Sequence, residues 1–416
     1  MMAHAALEST LNSAPSHWER RRFRFATRLR TERNRLSDQP LLSVSAAQGV
    51  RERDEGGLGR QAPAEETIPM YWVVRPGDIV VNPMWVIEGG VAASAMTGAV
   101  SPAYRVYVPA PGVESRYLHH LLRSRPYIEQ YKQHVRGVTT FDRAVSKEDF
   151  HELPVLLPPL AEQRRIAEFL DAETGRMDAL VARYTRLKSL MAERRQRAVD
   201  AEIESEVRHL PLRYVIRFRE GPGIMAEDFE PTGVPLLRVS GLRDGHVTLH
   251  GCNFLDPKKV ATKWKKFGVK LGDRLLSGSA TMGAVSVVDD PSVVGSIPYT
   301  GLIILRPARP DVDMGYVEAF LSSSLFMRQI DVLKAGAAMQ HFGPMHLSQI
   351  KSPLPPPERQ RAVVSRVSIA VKREQAMRSL IDRQVSRIAE RRQALITAAV
   401  TGQIDVSTAS GRGIED

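Results

Sequence analysis

The sequence predicts an α+β fold built as a tandem duplication, in which a β-rich domain and a long helix occur twice. Three observations predict it. Five short segments recur in the same order at nearly one offset. Each copy has short β-like runs broken by Gly and Pro, and each copy then enters a stretch almost free of Gly and Pro, introduced by two prolines.

The repeat is visible as matched segments about 197 residues apart. PLLSVS from Pro40 matches PLLRVS from Pro235 at an offset of 195, and ERRQ from Glu193 recurs at Glu390 at an offset of 197. A Gly-Asp pair, a Tyr-led helical segment and the double proline match at offsets from 195 to 199. This period is far longer than that of solenoid repeats, so it indicates duplication of one large unit.

The repeat sets the predicted domain boundaries. Runs such as GDIVV, YRVYV and GLIILR predict strands, and the segment from Tyr117 predicts a helix within the first β-rich domain. The predicted order is an N-terminal tail (1–17), a first β-rich domain (18–157), a helix (158–210), a second β-rich domain (211–354), a helix (355–406) and a flexible tail (407–416).

Both predicted helices carry an apolar seam at alternating steps of four and three residues, which favours coiled-coil packing. Equal length and matched seams favour packing of the two helices on each other within one chain, with a homodimeric coil for each helix as the alternative. The predicted packing residues are Ile166, Leu170, Met177, Leu180, Tyr184, Leu187 and Met191, and Val363, Val367, Met377, Ile381, Ile388 and Leu395.

Composition narrows the class of partner. A net charge of +11 over 416 residues indicates a polyanion, which leaves DNA, RNA or an acidic membrane surface open. Cys252 is the single cysteine, so an intramolecular disulfide or a cysteine-rich zinc site is excluded. No run of 18 apolar residues and no signal-peptide pattern occurs, so we expect a cytoplasmic chain with no membrane partner.

No catalytic constellation and no metal-ligand pattern is found in the sequence. The segment from Asn82 to Trp85 resembles the base-gripping tetrad of amino-methyltransferases, but Met84 departs from that tetrad and no nucleotide-binding loop lies upstream. We interpret the segment as a strand end followed by a turn. A self-contained methyltransferase or nuclease is the enzyme-class alternative.

Basic clusters supply the candidate nucleic-acid contacts, because Lys and Arg pair with phosphates. For each cluster the alternative is an ordinary solvated face, and for the loop at 136–143 it is a simple turn. The candidate residues are Arg20, Arg22 and Arg24, the loop residues Arg136, Thr139, Thr140 and Arg143, and the lysines Lys258, Lys259, Lys263, Lys265 and Lys266.

The segments GDIVVNPM, GAVSPAYRVYV, LPPLAEQRRIAEFLD and TGQIDV, together with the duplication, resemble the specificity (S) subunits of type I restriction–modification systems. The resemblance extends from about Trp18 to Val406. The second copy departs at the double proline, where Pro357 and Arg359 stand in place of a Leu and a Glu.

This resemblance implies a noncatalytic subunit that binds double-stranded DNA. Each β-rich domain would be a target-recognition domain for one half of a bipartite, asymmetric site. The helices would pair antiparallel, as a spacer and as a docking surface for two modification (methyltransferase) subunits, which restriction subunits join. S-adenosylmethionine, ATP and Mg would bind those partners and not this chain. An orphan DNA-binding or scaffold protein is the alternative.

Overall fold

The computed structural model describes residues 11–45, 49–53, 63–135, 144–205, 208–278, 283–335 and 342–406. The chain forms two compact units. Unit 1 comprises Met1–Tyr184 and Asp382–Asp416, and unit 2 comprises Thr185–Ile381. This division differs from the linear one predicted above, because each unit takes one β-rich domain together with part of both long helices.

Two helices far exceed the others in length. The first has 45 residues and the second 44, and each begins at the residue that directly follows the double proline. The described residues form the helices α1 (Phe23–Ala26), α2 (Ser115–Leu122), α3 (Arg125–Gln133), α4 (Lys147–Glu152), α5 (Leu160–Glu204), α6 (Pro257–Lys259), α7 (Met314–Leu321), α8 (Ser324–Ala335), α9 (Pro344–Leu347) and α10 (Pro357–Val400).

The strands are short and fall into two sets, one in each unit. Those of unit 1 are β1 (Glu19–Arg22), β2 (Thr27–Leu29), β3 (Leu42–Ser45), β4 (Gly49–Glu52), β5 (Trp72–Val74), β6 (Ile79–Val81), β7 (Val91–Ala93), β8 (Gly98–Val100), β9 (Arg105–Pro109) and β10 (Pro154–Leu157). Those of unit 2 are β11 (His209–Pro211), β12 (Ile216–Glu220), β13 (Phe229–Glu230), β14 (Val234–Leu237), β15 (Leu242–Arg243), β16 (His246–Val247), β17 (Asn253–Leu255), β18 (Arg274–Ser277), β19 (Val285–Val287), β20 (Ile297–Pro298), β21 (Leu302–Pro307) and β22 (Lys351–Pro353).

The duplication predicted from the sequence is present in the sheet topology. Unit 1 has a four-stranded sheet in the order β2-β9-β6-β7, and the sheet of unit 2 starts with the corresponding order β12-β21-β18-β19 before adding β16 and β15. These corresponding neighbours are all antiparallel. Each unit also pairs its first strand with its last, β1 with β10 and β11 with β22. The α+β tandem fold is therefore confirmed.

A repeated Gly-Asp turn enters the central strand of each sheet. Gly77 has a φ of 89° and Gly272 a φ of 84°, a left-handed conformation that favours glycine. The buried carboxylate of Asp78 accepts a hydrogen bond from the backbone N–H of Arg75 at 2.8 Å, and Asp273 accepts the corresponding bond at 2.7 Å. The matched sequence therefore encodes the same turn chemistry in both copies.

In unit 1 the main core joins the β-rich domain to both long helices. The ring of Phe23 packs edge-on against Tyr107 and Phe150, with centroids 4.9 and 4.8 Å apart. Ile166 and Leu170 of α5 belong to this core, and α10 contributes Leu395, Ile396, Ala399 and Val400. Burial of this apolar surface fixes both helices to the domain.

Unit 2 has its own core of the same kind. Phe320 and Phe326 pack edge-on with centroids 5.7 Å apart. Val199 and Ile203 from the end of α5 and Val363 from the start of α10 are buried in the same cluster. None of the described helices is both long and apolar enough to cross a membrane.

Candidate nucleic-acid interface

The double-proline segment forms a hydrogen-bonded joint in unit 1. The side chain of Gln163 is buried, and its Nε2 donates to the carbonyls of Pro158 and Gly112 at 2.8 and 3.1 Å. Its Oε1 accepts from the backbone N–H of Glu114 at 2.8 Å. Glu114 precedes α2, so one glutamine ties the start of α5 to the start of α2.

Gln360 makes the same joint in unit 2. Its Nε2 donates to the carbonyls of Pro355 and Asp311 at 2.8 and 3.0 Å, and its Oε1 accepts from the backbone N–H of Asp313 at 2.7 Å. Asp313 in turn caps α7 by accepting from the N–H of Gly315 at 2.8 Å. Neither glutamine was expected to have this role from the sequence. One signal in the sequence was available: the glutamine is the same in both copies (Gln163 and Gln360), whereas the preceding residue differs (Glu162 and Arg359).

The two joints differ at that preceding residue. Glu162 of unit 1 accepts hydrogen bonds from Trp18 Nε1 and bonds His17 Nε2, each at 3.0 Å. Arg359 of unit 2 donates to Ser205 Oγ at 2.9 Å and lies 3.4 Å from Glu202. The charge at this position is reversed between the copies, so the buried glutamine contacts are repeated while the outer ionic contacts are not.

Ion pairs join α5 and α10 within each unit. In unit 1, Arg392 of α10 pairs with Asp178 of α5. In unit 2, Arg195 of α5 lies 3.8 Å from Glu374 of α10. Later in α5, Glu202 accepts two hydrogen bonds, at 2.6 and 2.7 Å, from Arg366, which comes earlier in α10 than Glu374. In unit 2 the helices therefore pair antiparallel. Arg195 and Arg392 are the third residues of the repeated ERRQ, so that match has a structural role.

Two of the predicted packing residues on α5, Leu180 and Leu187, do not lie in the contact between the helices. Leu180 and Leu187 are 39% and 41% exposed, and the neighbouring Val181 and Lys188 are the half-buried members of the seam. Alternating steps of four and three residues selected the apolar Leu180 and Leu187, and the structure instead packs the adjacent positions 181 and 188. Met377 is also exposed. Of the other predicted packing residues, Ile166, Leu170, Val363, Ile381 and Leu395 are buried, and Met177, Tyr184, Met191, Val367 and Ile388 are half-buried.

The predicted arginines of unit 1 lie on and just after strand β1. Arg22 Nη1 lies 2.7 Å from Glu152, which also pairs with Arg24. The guanidinium of Arg24 lies 4.8 Å from the ring centre of Phe25, an exposed side chain. Arg20 is exposed on the same strand. These residues form a basic edge whose charge is partly neutralised, and their contact with DNA stays a prediction.

The predicted lysines of unit 2 lie on one irregular helical segment. It begins with α6 and continues as a π-helical turn, Val260–Trp264, a distortion often found at functional sites. Lys259 pairs with Asp228 at 3.0 Å. Trp264 anchors the segment against a small apolar cluster. The exposed members of the set are Lys258, Lys263, Lys265 and Lys266.

The remaining predicted contacts, Arg136, Thr139, Thr140 and Arg143, lie outside the described residues. Within the described ranges, no group of three or more His, Cys, Asp or Glu side chains is placed to hold a metal ion.

These features define the class of protein. It is a duplicated chain of two β-rich units, each connected to the paired long helices and each bearing a basic surface.

No protein-family model matches the chain. The type I restriction enzyme MjaVIII specificity subunit of Methanocaldococcus jannaschii is 23% identical over 244 residues, 54% of this chain and 56% of that protein. The EcoKI specificity subunit of Escherichia coli K12 is 22% identical over 314 residues, 71% of this chain and 67% of that protein.

The fold has a counterpart among solved structures. A chain from a study of complex assembly and conformational transition of the type I R-M system matches with a TM-score of 0.70 at 19% identity, covering 94% of this chain and 99% of its own length. The chain is similar in sequence to type I restriction enzyme specificity subunits, and it shares the fold of the solved structure.

Proposed function

We propose that the chain is the noncatalytic DNA-specificity subunit of a type I restriction–modification complex. The observation that carries the proposal is the repeated unit, in which a separate β-rich domain is jointed by the same buried glutamine to the paired helices. Two separate domains on one chain are suited to two separate half-sites. A net charge of +11 supports binding to DNA phosphates.

The two half-sites are expected to differ in sequence. The units share their sheet order and joints but carry different basic surfaces, with arginines on β1 in unit 1 and lysines on the π-helical segment in unit 2. Different side chains on matched frameworks bind different base sequences, because base edges are read by individual donors and acceptors. The recognised site is therefore bipartite and asymmetric.

The long helices serve as spacer and as docking surface for two modification subunits. Their ion-paired seams hold them together, and unit 2 exposes apolar side chains on their outer faces, including Leu187, Leu190 and Leu380. Exposed apolar groups of this kind favour association with another protein. Restriction subunits join that assembly in the cytoplasm, and S-adenosylmethionine, ATP and Mg bind to the partner subunits.

Sequencing of the methylome tests this proposal. The chain would be co-expressed with its modification subunits in a host without DNA methylation of its own, beside a matched strain that lacks this gene. We expect methylation at one bipartite sequence in the first strain only. Identical methylation in both strains would refute the proposal. Sequence-specific binding without methylation would assign the chain to the orphan DNA-binding class.

A further inference from the structure

Unit 1 contains a polar cleft that none of the predicted basic clusters lines. Its volume is about 580 Å³, within the usual range of ligand-binding clefts. The cleft lies between the β3–β4 hairpin and the turn that follows β6. Its polar and aromatic lining includes Ser43, Ser45, Arg51, Arg53, Asn82 and Trp85.

The hairpin presents hydroxyl and guanidinium groups on one face. Ser43 of β3 is directly opposite Arg51 of β4 in the antiparallel register, and opposite residues project on the same side of a sheet. Ser45 and Arg53 are each two residues further along, so they share that side. The backbone N–H of Arg53 still bonds the carbonyl of Leu41 at 2.8 Å, which extends the ladder beyond the strand. This wall of the cleft is therefore built on paired backbone.

The opposite wall is a tightly bonded turn that carries an exposed tryptophan. Asn82 Oδ1 accepts from the N–H of Met84 at 3.2 Å, and the N–H of Trp85 donates to the Asn82 carbonyl at 3.1 Å. The N–H of Gly90 donates to the Trp85 carbonyl at 2.8 Å, and a Cβ at Gly90 would lie only 2.7 Å from that carbonyl oxygen. The backbone of Trp85 is thus fixed, while 44% of the residue is exposed.

This combination matches the chemistry of a base pair and its flanking phosphates. The turn uses the amide oxygen of Asn82, and among the described residues the NH₂ group has no acceptor, so it can donate to a group bound in the cleft. Hydroxyls and amides read base edges, aromatic rings make apolar contact with them, and guanidinium groups hold phosphates.

We propose that this cleft reads base edges of the half-site bound by unit 1. Asn82 contacts the bases, Trp85 forms the apolar wall, and Arg51 and Arg53 hold the adjacent phosphates. The inference rests on the proposed function and names the site within unit 1 that performs it.

Comparison with unit 2 supports the assignment. The repeat places Arg238 at the position of Ser43 and Ser277 at the position of Asn82, each 195 residues later. The guanidinium of Arg238 lies 4.2 Å from the ring centre of Tyr299. The buried glutamine of the joint and the Gly-Asp turn are unchanged between copies, whereas these cleft residues change. Residues that read two different half-sites are expected to vary in this way.

The decisive variant is Asn82→Asp. Aspartate keeps the oxygen that accepts from Met84, so the turn is preserved, but it replaces the donating NH₂ with an acceptor. The full chain, co-purified with its modification subunits, would select duplexes from a library randomised across the site. We expect a loss of preference of about tenfold to hundredfold at one base pair of one half-site, with a shift towards cytosine, whose N4 group donates.

Trp85→Ala provides a second measurement, and Leu36→Ala is its control because Leu36 is an exposed apolar residue of unit 1 outside the cleft. Trp85→Ala should weaken cognate binding about tenfold and relax one half-site only, while Leu36→Ala leaves the selected sequence unchanged. If wild type selects a sequence and folded Asn82→Asp and Trp85→Ala complexes select the same one, the cleft assignment is wrong. If wild type selects none, the proposed function itself fails.

Discussion

The buried side chains of Gln163 and Gln360, which are 197 positions apart, make the same three hydrogen bonds, two to carbonyls and one from the backbone N–H that precedes a domain helix. In each unit these bonds tie the start of the long helix to the β-rich domain, so they fix the angle between the two. A glutamine suits this role because its amide both donates and accepts within one planar group.

Replacing either glutamine with leucine should destabilise the unit that contains it. Gln163→Leu removes all three hydrogen bonds of a buried amide and leaves the carbonyl of the buried Pro158 without this partner, and an orphaned buried group costs about 1–3 kcal/mol. Urea denaturation should show a loss of at least about 2 kcal/mol in the free energy of unfolding.

Gln384→Leu is the control for this change, because Gln384 is exposed on α10. It should alter the free energy of unfolding by no more than about 0.5 kcal/mol. Equal effects of Gln163→Leu and Gln384→Leu would show that the joint contributes nothing beyond an ordinary surface amide.

The corrected helix seam can be tested with two adjacent residues of α10. Ile381 is 3% exposed and Leu380 is 47% exposed. Ile381→Ala should cost about 2–5 kcal/mol through lost burial and a cavity, whereas Leu380→Ala should change the free energy of unfolding by about 0.5 kcal/mol or less. Thermal and urea unfolding of both variants would measure the difference. A larger loss for Leu380→Ala would place the seam on the other face.

Acid should weaken the pairing between α5 and α10 in unit 2. The hydrogen bond from Arg366 is the largest influence on the pKa of Glu202 and lowers it from its ordinary value of 4.5. A lowered carboxyl pKa in the folded state contributes stability that is present above pH 4.5 and is lost as the pH falls through the lowered value.

The variant Arg366→Gln isolates this contribution. Wild type should resist urea better than the variant at pH 6, and the gap between their midpoints should close as the pH falls below about 4. Arg361→Gln is the control, because Arg361 is an exposed arginine on the same helix, placed against Glu358. A gap that stays constant from pH 6 to pH 3 would exclude a role for Glu202 ionisation.

The lysine segment of unit 2 should contribute to DNA affinity through phosphates. Lys263→Gln and Lys265→Gln should each weaken binding to cognate and noncognate duplexes alike and lower the slope of log affinity against log salt by about 1. The control is Lys372→Gln on an exposed position of α10. Unchanged slopes for both segment variants would assign these lysines to a solvated face.

The sequence predicted the duplication because insertions between the copies are few, so matched residues keep nearly constant offsets. The sequence pattern could not predict side-chain contacts that depend on whether a single backbone N–H is present. Gln329 forms two bonds with the backbone of Lys351, at 2.8 and 2.9 Å. The matching pair in unit 1 is Gln130 and Pro154, and proline has no N–H, so Gln130 bonds His134 at 3.0 Å instead.

The cleft beside Trp85 shows a second limit of sequence reading. Asn82 and Trp85 were correctly expected to form a turn after a strand, and the structure places that turn after β6. Their approach to Ser43 and Arg51 depends on how the β3–β4 hairpin folds over the sheet. Segments separated by about 40 residues have no local pattern that predicts such an approach.

Shortening both helices together should shorten the gap in the recognised DNA. Deleting residues 182–188 and 379–385 removes one heptad from each helix, 197 positions apart, and leaves the Asp178–Arg392 and Arg195–Glu374 ion pairs intact. Seven residues at about 1.5 Å each correspond to roughly three base pairs of B-DNA at about 3.4 Å each. Methylome sequencing should return both original half-sites with a gap about three base pairs shorter. Deleting only residues 182–188 mismatches the seams, so it should abolish methylation. An unchanged gap in the double deletion would show that helix length does not set the spacing.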